Sequence, residues 1–424
     1  MLLQKPAFLL FYHARAAEAS FGEWLGVLWH GLSLDCTVAG YVTAFPVLVA
    51  LASFWIPLSQ RVWRIVLTVY FSLIALVTAA IFAVDLNLYG YWGFRLDGSV
   101  LIYLSDPGEA LASASWGEVL RQILIMLVYA GAMIWSYRWI LRLFRVEPVP
   151  LRGRIVPTVA TLLIGGLTFL AIRGGVTVAT ANVSKVYFSS NMFLNHAATN
   201  PVFSFLSSVG DNENYAEAYP FFEEERRKTL FEELRGNRPG ADAGTPRLLR
   251  SDRPNVVLIL LESFGRTIMD ETVNGEPVMP NMQRFKREGV WFENFFANSF
   301  RTDRGQVAVL CGFPAQTTMS IMKLPRKSAT LPSLARSLGR EGYRSVFMYG
   351  GDLNFTNQAS FMYSTGWEEL IWQKDMQLDA PTSKWGYADD VVVDLFGDEV
   401  EALGRAEQPF PVSYTHLTLP TNRE

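Results

Sequence analysis

Four long apolar segments in its first half constrain this 424-residue chain more than any other feature. A helix needs about 20 predominantly apolar residues to cross the hydrocarbon core of a bilayer, and each segment is close to that length. Tryptophan and tyrosine residues cluster at the segment edges, as in the aromatic belts of membrane proteins. The sequence therefore predicts a transmembrane domain over residues 34–173, with four spans at residues 34–56, 65–84, 120–141 and 155–172.

The basic residues between the spans predict the orientation of this domain. The loops after the first and third spans are rich in arginine, whereas the loop after the second span carries mostly acidic residues. Because basic loops stay in the cytoplasm, the rest of the chain after residue 172 is expected outside an inner (cytoplasmic) membrane, in the periplasm or its equivalent. Residues 1–33 are interpreted as an N-terminal segment and the remnant of a missing first helix.

Composition excludes some functions. The chain is 50% hydrophobic and 18% charged, and this bias comes from the first four segments. A net charge of -3 argues against a nucleic-acid partner. The two cysteines, Cys36 and Cys311, fall in different parts of the chain without CxxC spacing, so a disulfide is not expected, and Cys311 is predicted to be a core residue.

The rest of the chain reads as a linker followed by a soluble domain. Residues 174–254 form the extracytoplasmic linker, with a charged helix over residues 221–235 and a Gly- and Pro-rich boundary after it. The soluble domain, residues 255–411, opens with an apolar run typical of a buried parallel strand. Helix and strand patterns then alternate, with one strand expected over residues 290–297, so the sequence predicts an α/β sandwich.

Two polar residues stand out in this domain, each with two interpretations. Glu262 ends the first strand, at the edge where α/β sheets bind ligands, and is either a metal ligand or a charge at a helix N-terminus. Thr302 lies between Arg301 and Asp303, just before an apolar run. Taken alone, this pattern is typical of a helix N-cap.

Several motifs together resemble the lipoteichoic acid synthase-like branch of the sulfatase/alkaline phosphatase superfamily. They are "NVVLILLESFG", "PNMQRFKREGVWFENFFA", "RTDRG", "LCGFPA" and "GYRSVFMYGGDLNFTN". The resemblance implies multi-pass transmembrane helices followed by an extracytoplasmic α/β sandwich of the alkaline phosphatase/sulfatase type. It also implies that Glu262 and Thr302 bind one divalent metal ion (Mn²⁺, Mg²⁺ or Zn²⁺) and that Thr302 is the nucleophile. A metal would lower the barrier to losing the threonine proton.

Further residues are candidates for substrate contacts. Arg301 and Arg304 are expected to hold a phosphodiester by charge-assisted hydrogen bonds. Asp352 and Asn354 are candidate headgroup contacts, and an Asx-type turn explains the same two residues equally well. Where some family members carry a substrate-contacting histidine, this chain has Tyr349.

The family's two other metal ligands, an adjacent Asp-His pair, are absent from the sequence. Of four histidines only His416 follows Thr302, and its neighbours are Thr415 and Leu417. Residues 412–424 resemble a translated sequencing adapter and are interpreted as an artefact. The catalytic domain is therefore expected to be partial, and this polypeptide itself is expected to be inactive.

The functional hypothesis is a membrane-anchored, metal-dependent phosphotransferase. It moves a phosphoglycerol-type headgroup from a phospholipid donor to a glycan or lipid acceptor of the cell envelope. The alternatives are a phosphoethanolamine transferase, a sulfuric-ester hydrolase of the same superfamily, or an inactive relative that only binds. The hydrolase is the weaker alternative because "TDRGQ" lacks the cysteine or serine that sulfatases convert to formylglycine.

Overall fold

Long helices form the N-terminal part of the molecule. The computed structural model describes residues 1–101, 115–145, 150–209, 221–235, 249, 251–262, 264–316, 319–406 and 408–415. Its first helices are α1 (Gln4–Phe11), α2 (His13–Ala16), α3 (Phe21–Trp55), α4 (Gln60–Trp92), α5 (Trp116–Leu141) and α6 (Ile155–Arg173). Helices α3 to α6 are long and apolar enough to cross a membrane. The four predicted spans correspond to these helices.

Helix α3 begins at Phe21, well before the predicted start of the first span at residue 34. Ser20 caps it: the Ser20 hydroxyl accepts a hydrogen bond from the Glu23 N–H, and the Glu23 carboxylate accepts one from the Ser20 N–H. This reciprocal capping box starts a helix wherever it occurs. Part of the predicted N-terminal segment therefore belongs to the first long helix.

The long helices pack as two pairs, α3 against α6 and α4 against α5. The Thr37 hydroxyl on α3 donates to the Ala171 carbonyl on α6 over 3.0 Å. A Cβ atom at Gly40 would lie 3.0 Å from the Ile172 side chain, so glycine permits this close helix approach. The described side chains of α5 and α6 are mostly exposed, as expected for lipid-facing helices.

Two ion pairs are buried at one end of the helices. Asp35, expected at the end of a span, lies inside α3 and pairs with Lys5 over 2.6 Å. Arg95 pairs with Asp85 of α4 over 3.1 Å, and the Asp85 carboxylate also accepts from the Leu96 N–H. Each buried charge therefore has an opposite charge beside it, as burial requires.

The segment after α6 returns to this same end of the helices. It forms a 3₁₀ turn (Val183–Val186), α7 (Met192–Ala198) and α8 (Pro201–Ser208). Residues of this segment share one apolar cluster with Phe8 of α1 and Leu34 of α3. The N-terminal helices and the start of the soluble part therefore lie on the same side of the spans.

The soluble part is built on a parallel sheet. Its strands are β1 (Val256–Leu260), β2 (Thr272–Val273), β3 (Glu276–Pro277), β4 (Val346–Tyr349), β5 (Glu369–Trp372), β6 (Thr382–Ser383), β7 (Gly386–Tyr387) and β8 (Pro411–Thr415). Four of them pair in parallel in the order β1-β8-β4-β5, and β2-β3 and β6-β7 are small antiparallel pairs. The helices are α9 (Glu224–Arg235), α10 (Arg266–Met269), α11 (Pro280–Glu288), α12 (Thr302–Cys311), α13 (Pro325–Ser328), α14 (Leu334–Arg340), α15 (Gln358–Ser364) and α16 (Asp389–Gly404).

Helices cover both faces of the sheet. Successive side chains of a strand point to opposite faces, and β4 follows this rule. Phe347 lies in a cluster with residues of α12, α14 and α15, whereas Val346 and Met348 lie in a cluster with residues of α16. This arrangement is an α/β sandwich with a parallel sheet, so the predicted fold class is confirmed.

Two predicted strands differ in the structure. Residues 290–297 form no strand, and Phe295 and Phe296 are 78% and 84% exposed. Apolar content alone gives a segment no pairing partner, and a strand needs one. The first strand, β1, forms as predicted, at the edge of the sheet, but it is not buried on both faces. Val257 and Ile259, which point to the same face, are 46% and 49% exposed.

The end of the described chain forms the central strand β8. Its residues pair with β1 on one side and β4 on the other, and Val412 and Tyr414 are buried. Residues 412–415, which were predicted to be part of the artefact, therefore belong to the sheet. Residues 416–424, including His416, lie outside the described residues.

Polar contacts dock the sandwich on the ends of the long helices. Arg326 of α13 pairs with Asp97 over 3.3 Å, and its guanidinium lies 4.4 Å from the centre of the Trp92 ring at the end of α4. The Asn182 amide donates to the Asn354 carbonyl over 2.8 Å. These contacts hold the soluble part directly against the helix ends.

Removing one member of the buried Asp85–Arg95 pair is expected to destabilise the helical part. In Asp85→Asn the Arg95 charge stays buried without its partner, which typically lowers the free energy of unfolding by about 3 kcal/mol. The measurement is unfolding in detergent followed by circular dichroism. The control is Asp270→Asn, which breaks an exposed ion pair with Arg266 and is expected to cost less than about 1 kcal/mol. Equal effects of the two substitutions would contradict the prediction.

Loss of Arg326 is expected to loosen the docking of the sandwich. Arg326→Ala removes both the ion pair with Asp97 and the contact with Trp92, so these surfaces should open more often. Hydrogen exchange of residues 97–101 and 325–328 is expected to become severalfold faster. The matched control is Arg340→Ala at the exposed end of α14. Unchanged exchange in Arg326→Ala would show that other contacts carry the docking.

Candidate active site

The candidate site lies at the carboxyl edge of the parallel sheet. Thr415 ends β8 and pairs in register with Leu260 of β1 and Tyr349 of β4. Glu262 follows Leu260 by two residues and is half-buried. Three strands therefore bring Glu262, Thr415 and Tyr349 to one edge, the position where ligands bind in α/β folds.

Helix α12 reaches the same edge through Gln306. The buried Gln306 amide donates to the Thr415 hydroxyl over 3.1 Å and to the Gln358 side-chain oxygen over 3.3 Å. Residues four apart on a helix share one face, so Thr302 lies on the Gln306 face of α12, one turn closer to its N-terminus. The Thr302 hydroxyl therefore lies at the start of a helix that is hydrogen-bonded to the sheet through Gln306.

Thr302 does not act as a helix cap. Arg301 occupies the N-cap position, and no side chain accepts a hydrogen bond from the first turn. Thr302 itself is half-buried, and within the described residues its hydroxyl has no hydrogen-bond partner. The capping interpretation of this pattern is therefore wrong, and the hydroxyl is available for another role.

The two neighbouring arginines differ in their surroundings. The Arg301 guanidinium pairs with the buried Asp303 carboxylate over 3.2 Å, and the Arg301 side chain is 44% exposed. Arg304 is buried, with its guanidinium 5.5 Å from the centre of the Phe300 ring. Both cations lie beside the N-terminus of α12, which itself favours anions.

The pKa of Tyr349 depends on the charges at this edge. Burial raises the pKa of the Tyr349 phenol well above its usual range, and the nearby charges of Glu262 and Asp352 raise it further. The phenol therefore stays neutral at physiological pH. The carboxylates of Glu262 and Asp352, two of the predicted site residues, are therefore close enough to act on this phenol.

Asp352 and Asn354 form a turn. The Asp352 carboxylate accepts hydrogen bonds from the Asn354 N–H over 2.9 Å and from its side-chain amide over 2.8 Å. This is the Asx-type turn that the sequence offered as one interpretation. The substrate-contact interpretation of both residues stays a prediction, as do the roles of the other site residues.

The described residues do not complete a metal site. The resemblance implies one divalent metal ion held by Glu262 and Thr302, which are two oxygen donors. Nowhere in the described ranges do three or more His, Cys, Asp or Glu side chains converge on one position. Two donors are too few for a tightly held divalent ion, so the residues present do not fit the group.

A large cavity lies between part of the sandwich and the helix ends. It has a volume of about 920 Å³ and is lined by the loop after α4, the segment after α6, and residues around α13. Arg301 also lines it, so the N-terminus of α12 faces this space. We call it the junction cavity.

Gln306, Gln358 and the cavity could not be predicted from the sequence. A single glutamine inside a helix has many structural explanations, and its partner on β8 is more than a hundred residues away. Cys311 behaves as predicted: it is a free, buried core residue, and burial raises the pKa of its thiol to about 11.

Comparison with known proteins identifies the soluble part. Residues 254–417 match the sulfatase family. The chain is 36% identical over 183 residues to phosphoglycerol transferase I of Xanthomonas campestris, with 40% of this chain and 25% of the relative aligned. It is 28% identical over 177 residues to phosphoglycerol transferase I of Salmonella paratyphi B, with 40% and 23% aligned. The chain thus spans about a quarter of the length of these curated relatives.

Two solved structures are also similar. One is a protein in the alkaline phosphatase superfamily from Vibrio parahaemolyticus, with 26% identity, a TM-score of 0.37, and 42% of this chain and 44% of that chain covered. The other is the lipoteichoic acid synthase LtaP from Listeria monocytogenes, with 18% identity, a TM-score of 0.37, and 39% and 40% covered. The assignment itself rests on the family match and the sequence relatives. Residues 254–417 therefore correspond to a sulfatase domain, and the sequence similarities support the lipoteichoic acid synthase-like resemblance of the chain.

Proposed function

We propose that the protein is a membrane-anchored phosphotransferase that moves a phosphoglycerol-type headgroup from a phospholipid to an acceptor in the cell envelope. The observation that carries this proposal is Thr302, a half-buried hydroxyl without a hydrogen-bond partner in the described structure, at the first position of α12 and beside two arginines. Similarity of residues in this domain to phosphoglycerol transferases supports the headgroup.

The first step is attack on the lipid phosphodiester. The Thr302 oxygen forms a bond to phosphorus, and the bond from phosphorus to the diacylglycerol oxygen breaks. The proton lost by Thr302 is balanced by the proton gained by the leaving diacylglycerol. The products are diacylglycerol and a glycerophosphoryl ester of Thr302, a covalent intermediate typical of nucleophilic catalysis.

The second step releases the headgroup. An acceptor alcohol attacks the same phosphorus, the bond to the Thr302 oxygen breaks, and the hydroxyl regains a proton. Arg301 and Arg304 stabilise the charge on the phosphoryl oxygens in both steps, together with the N-terminus of α12. The acceptor is proposed to be a glycan or lipid of the envelope.

The proposed location is the outer face of the cytoplasmic membrane. The arginine-rich loops after the first and third spans support a cytoplasmic position for those loops. The sandwich, which follows the fourth span, is then on the opposite side.

The metal implied by the superfamily enters none of these steps, because the residues described here supply only two of its ligands. A relative that binds lipid without turnover is therefore the second candidate function. The observation that favours it is the incomplete donor set around Glu262 and Thr302. An assay of turnover separates the two.

Substitution of Thr302 tests the proposal. In Thr302→Ala, release of diacylglycerol from fluorescently labelled phosphatidylglycerol is expected to fall by about a thousandfold or more, as when other nucleophiles are removed. Thermal stability should be unchanged, because the hydroxyl has no hydrogen bond to lose within the described structure.

Thr302→Ser is the matched control, since it keeps a hydroxyl at the same position and should retain part of the activity. If Thr302→Ala releases diacylglycerol as fast as the unmodified chain, Thr302 is not the nucleophile. If the unmodified chain releases none while still binding the lipid, the second candidate replaces the transferase.

A further inference from the structure

The junction cavity lies next to the ends of two helices that can cross a membrane. Its lining includes the loop that directly follows α4 and the segment that follows α6, two helices able to cross a membrane. The ends of such helices mark the edge of the hydrocarbon core. A volume of about 920 Å³ is within the range of small-ligand sites. A cavity beside these helix ends is within reach of the lipid headgroups.

The described lining of the cavity is strongly cationic. It holds one carboxylate, that of Asp97, and five cationic side chains: Arg95, Arg301, Lys323, Arg326 and Lys327. The three arginines each pair with an aspartate, whereas Lys323 and Lys327 have no ion-pair partner in the described part of the chain. The charge in the lining that is not compensated by an ion pair is thus positive and comes from the two lysines.

Two buried side chains in the lining have polar atoms without a hydrogen-bond partner in the described structure. Arg95 is 5% exposed, and its Nε and Nη1 atoms make no hydrogen bond. His196 is 6% exposed; its Nδ1 atom bonds the Tyr89 hydroxyl over 3.1 Å, and its Nε2 atom has no partner. Burial, with the nearby charges of Arg95 and Arg15, lowers the pKa of His196 to about 3, so the ring is neutral. Unpartnered buried polar atoms beside a cavity indicate a polar ligand.

We propose that the junction cavity binds the phosphate-bearing headgroup of a membrane lipid. Lys323 and Lys327 attract the phosphate charge, and Arg95 donates to it from the buried wall. Phosphate oxygens are strong acceptors for such donors. The apolar part of the lining, which includes Phe94 and Phe203, suits the glycerol backbone and the start of the acyl chains.

The cavity also gives the headgroup a place next to the candidate nucleophile. Arg301 lines the cavity and directly precedes Thr302. The identification of the bound lipid as the headgroup donor rests on the proposed function. The binding of a lipid in the cavity does not depend on that function.

The test is a binding measurement on the full chain in detergent, by microscale thermophoresis. The probe is short-chain dihexanoylphosphatidylglycerol, compared with dihexanoylglycerol, which lacks the phosphate, and with free glycerol phosphate, which lacks the acyl chains. Lys323→Gln/Lys327→Gln is expected to weaken binding of the phosphatidylglycerol about tenfold or more, because each basic side chain near a lipid surface contributes severalfold. Both lysines are exposed, so the melting temperature should not change.

The matched control is Lys374→Gln/Lys384→Gln, which removes the same two charges from exposed positions outside the cavity lining. This variant should bind like the unmodified chain. Equal binding by the Lys323/Lys327 variant, or an equal loss in the control, would overturn the proposal. Equal binding of dihexanoylglycerol would overturn the role of the phosphate, and equal binding of glycerol phosphate would assign the cavity to a free headgroup instead of a lipid.

Binding can persist where catalysis fails. A chain that binds in this way but releases no diacylglycerol keeps this inference and contradicts the proposed function.

Discussion

The length of the apolar helices determines where all other parts of the protein lie. Because α3 to α6 are long and apolar enough to cross a bilayer, their ends lie outside its hydrocarbon core. The sandwich packs directly on those ends through Arg326, Asp97 and Trp92. The N-terminus of α12 therefore faces a cavity beside the helix ends.

The charged residues around this junction are of two kinds, buried ion pairs and exposed lysines. Asp85 and Arg95 compensate each other where water is excluded, so they stabilise the helix ends without a net field. Lys323 and Lys327 remain uncompensated at the rim in the described structure. Buried pairs thus hold the junction together, whereas the exposed lysines leave it attractive to anions. The same surface combines a structural and a recognition role.

Local sequence patterns predicted the features that local physics determines. Spans are recognisable because the bilayer requires a continuous apolar length, and Glu262 at a strand end follows from the strand itself. The Asp35–Lys5 pair and the Gln306–Thr415 bond were missed, because long-range contacts between polar residues leave no local pattern. The strand expected over residues 290–297 is absent for a related reason: pairing depends on a neighbouring edge, which the segment's own apolar residues do not reveal.

Covalent labelling of Thr302 is the most direct test of the central claim. The full chain is mixed with phosphatidylglycerol, quenched rapidly in acid, digested and examined by peptide mass spectrometry. The proposed chemistry predicts that the peptide containing Thr302 gains the mass of one glycerophosphoryl group, with the fragment ions assigning it to the Thr302 oxygen. Release of diacylglycerol with the adduct on another residue, or with no adduct at all, would contradict a threonine nucleophile.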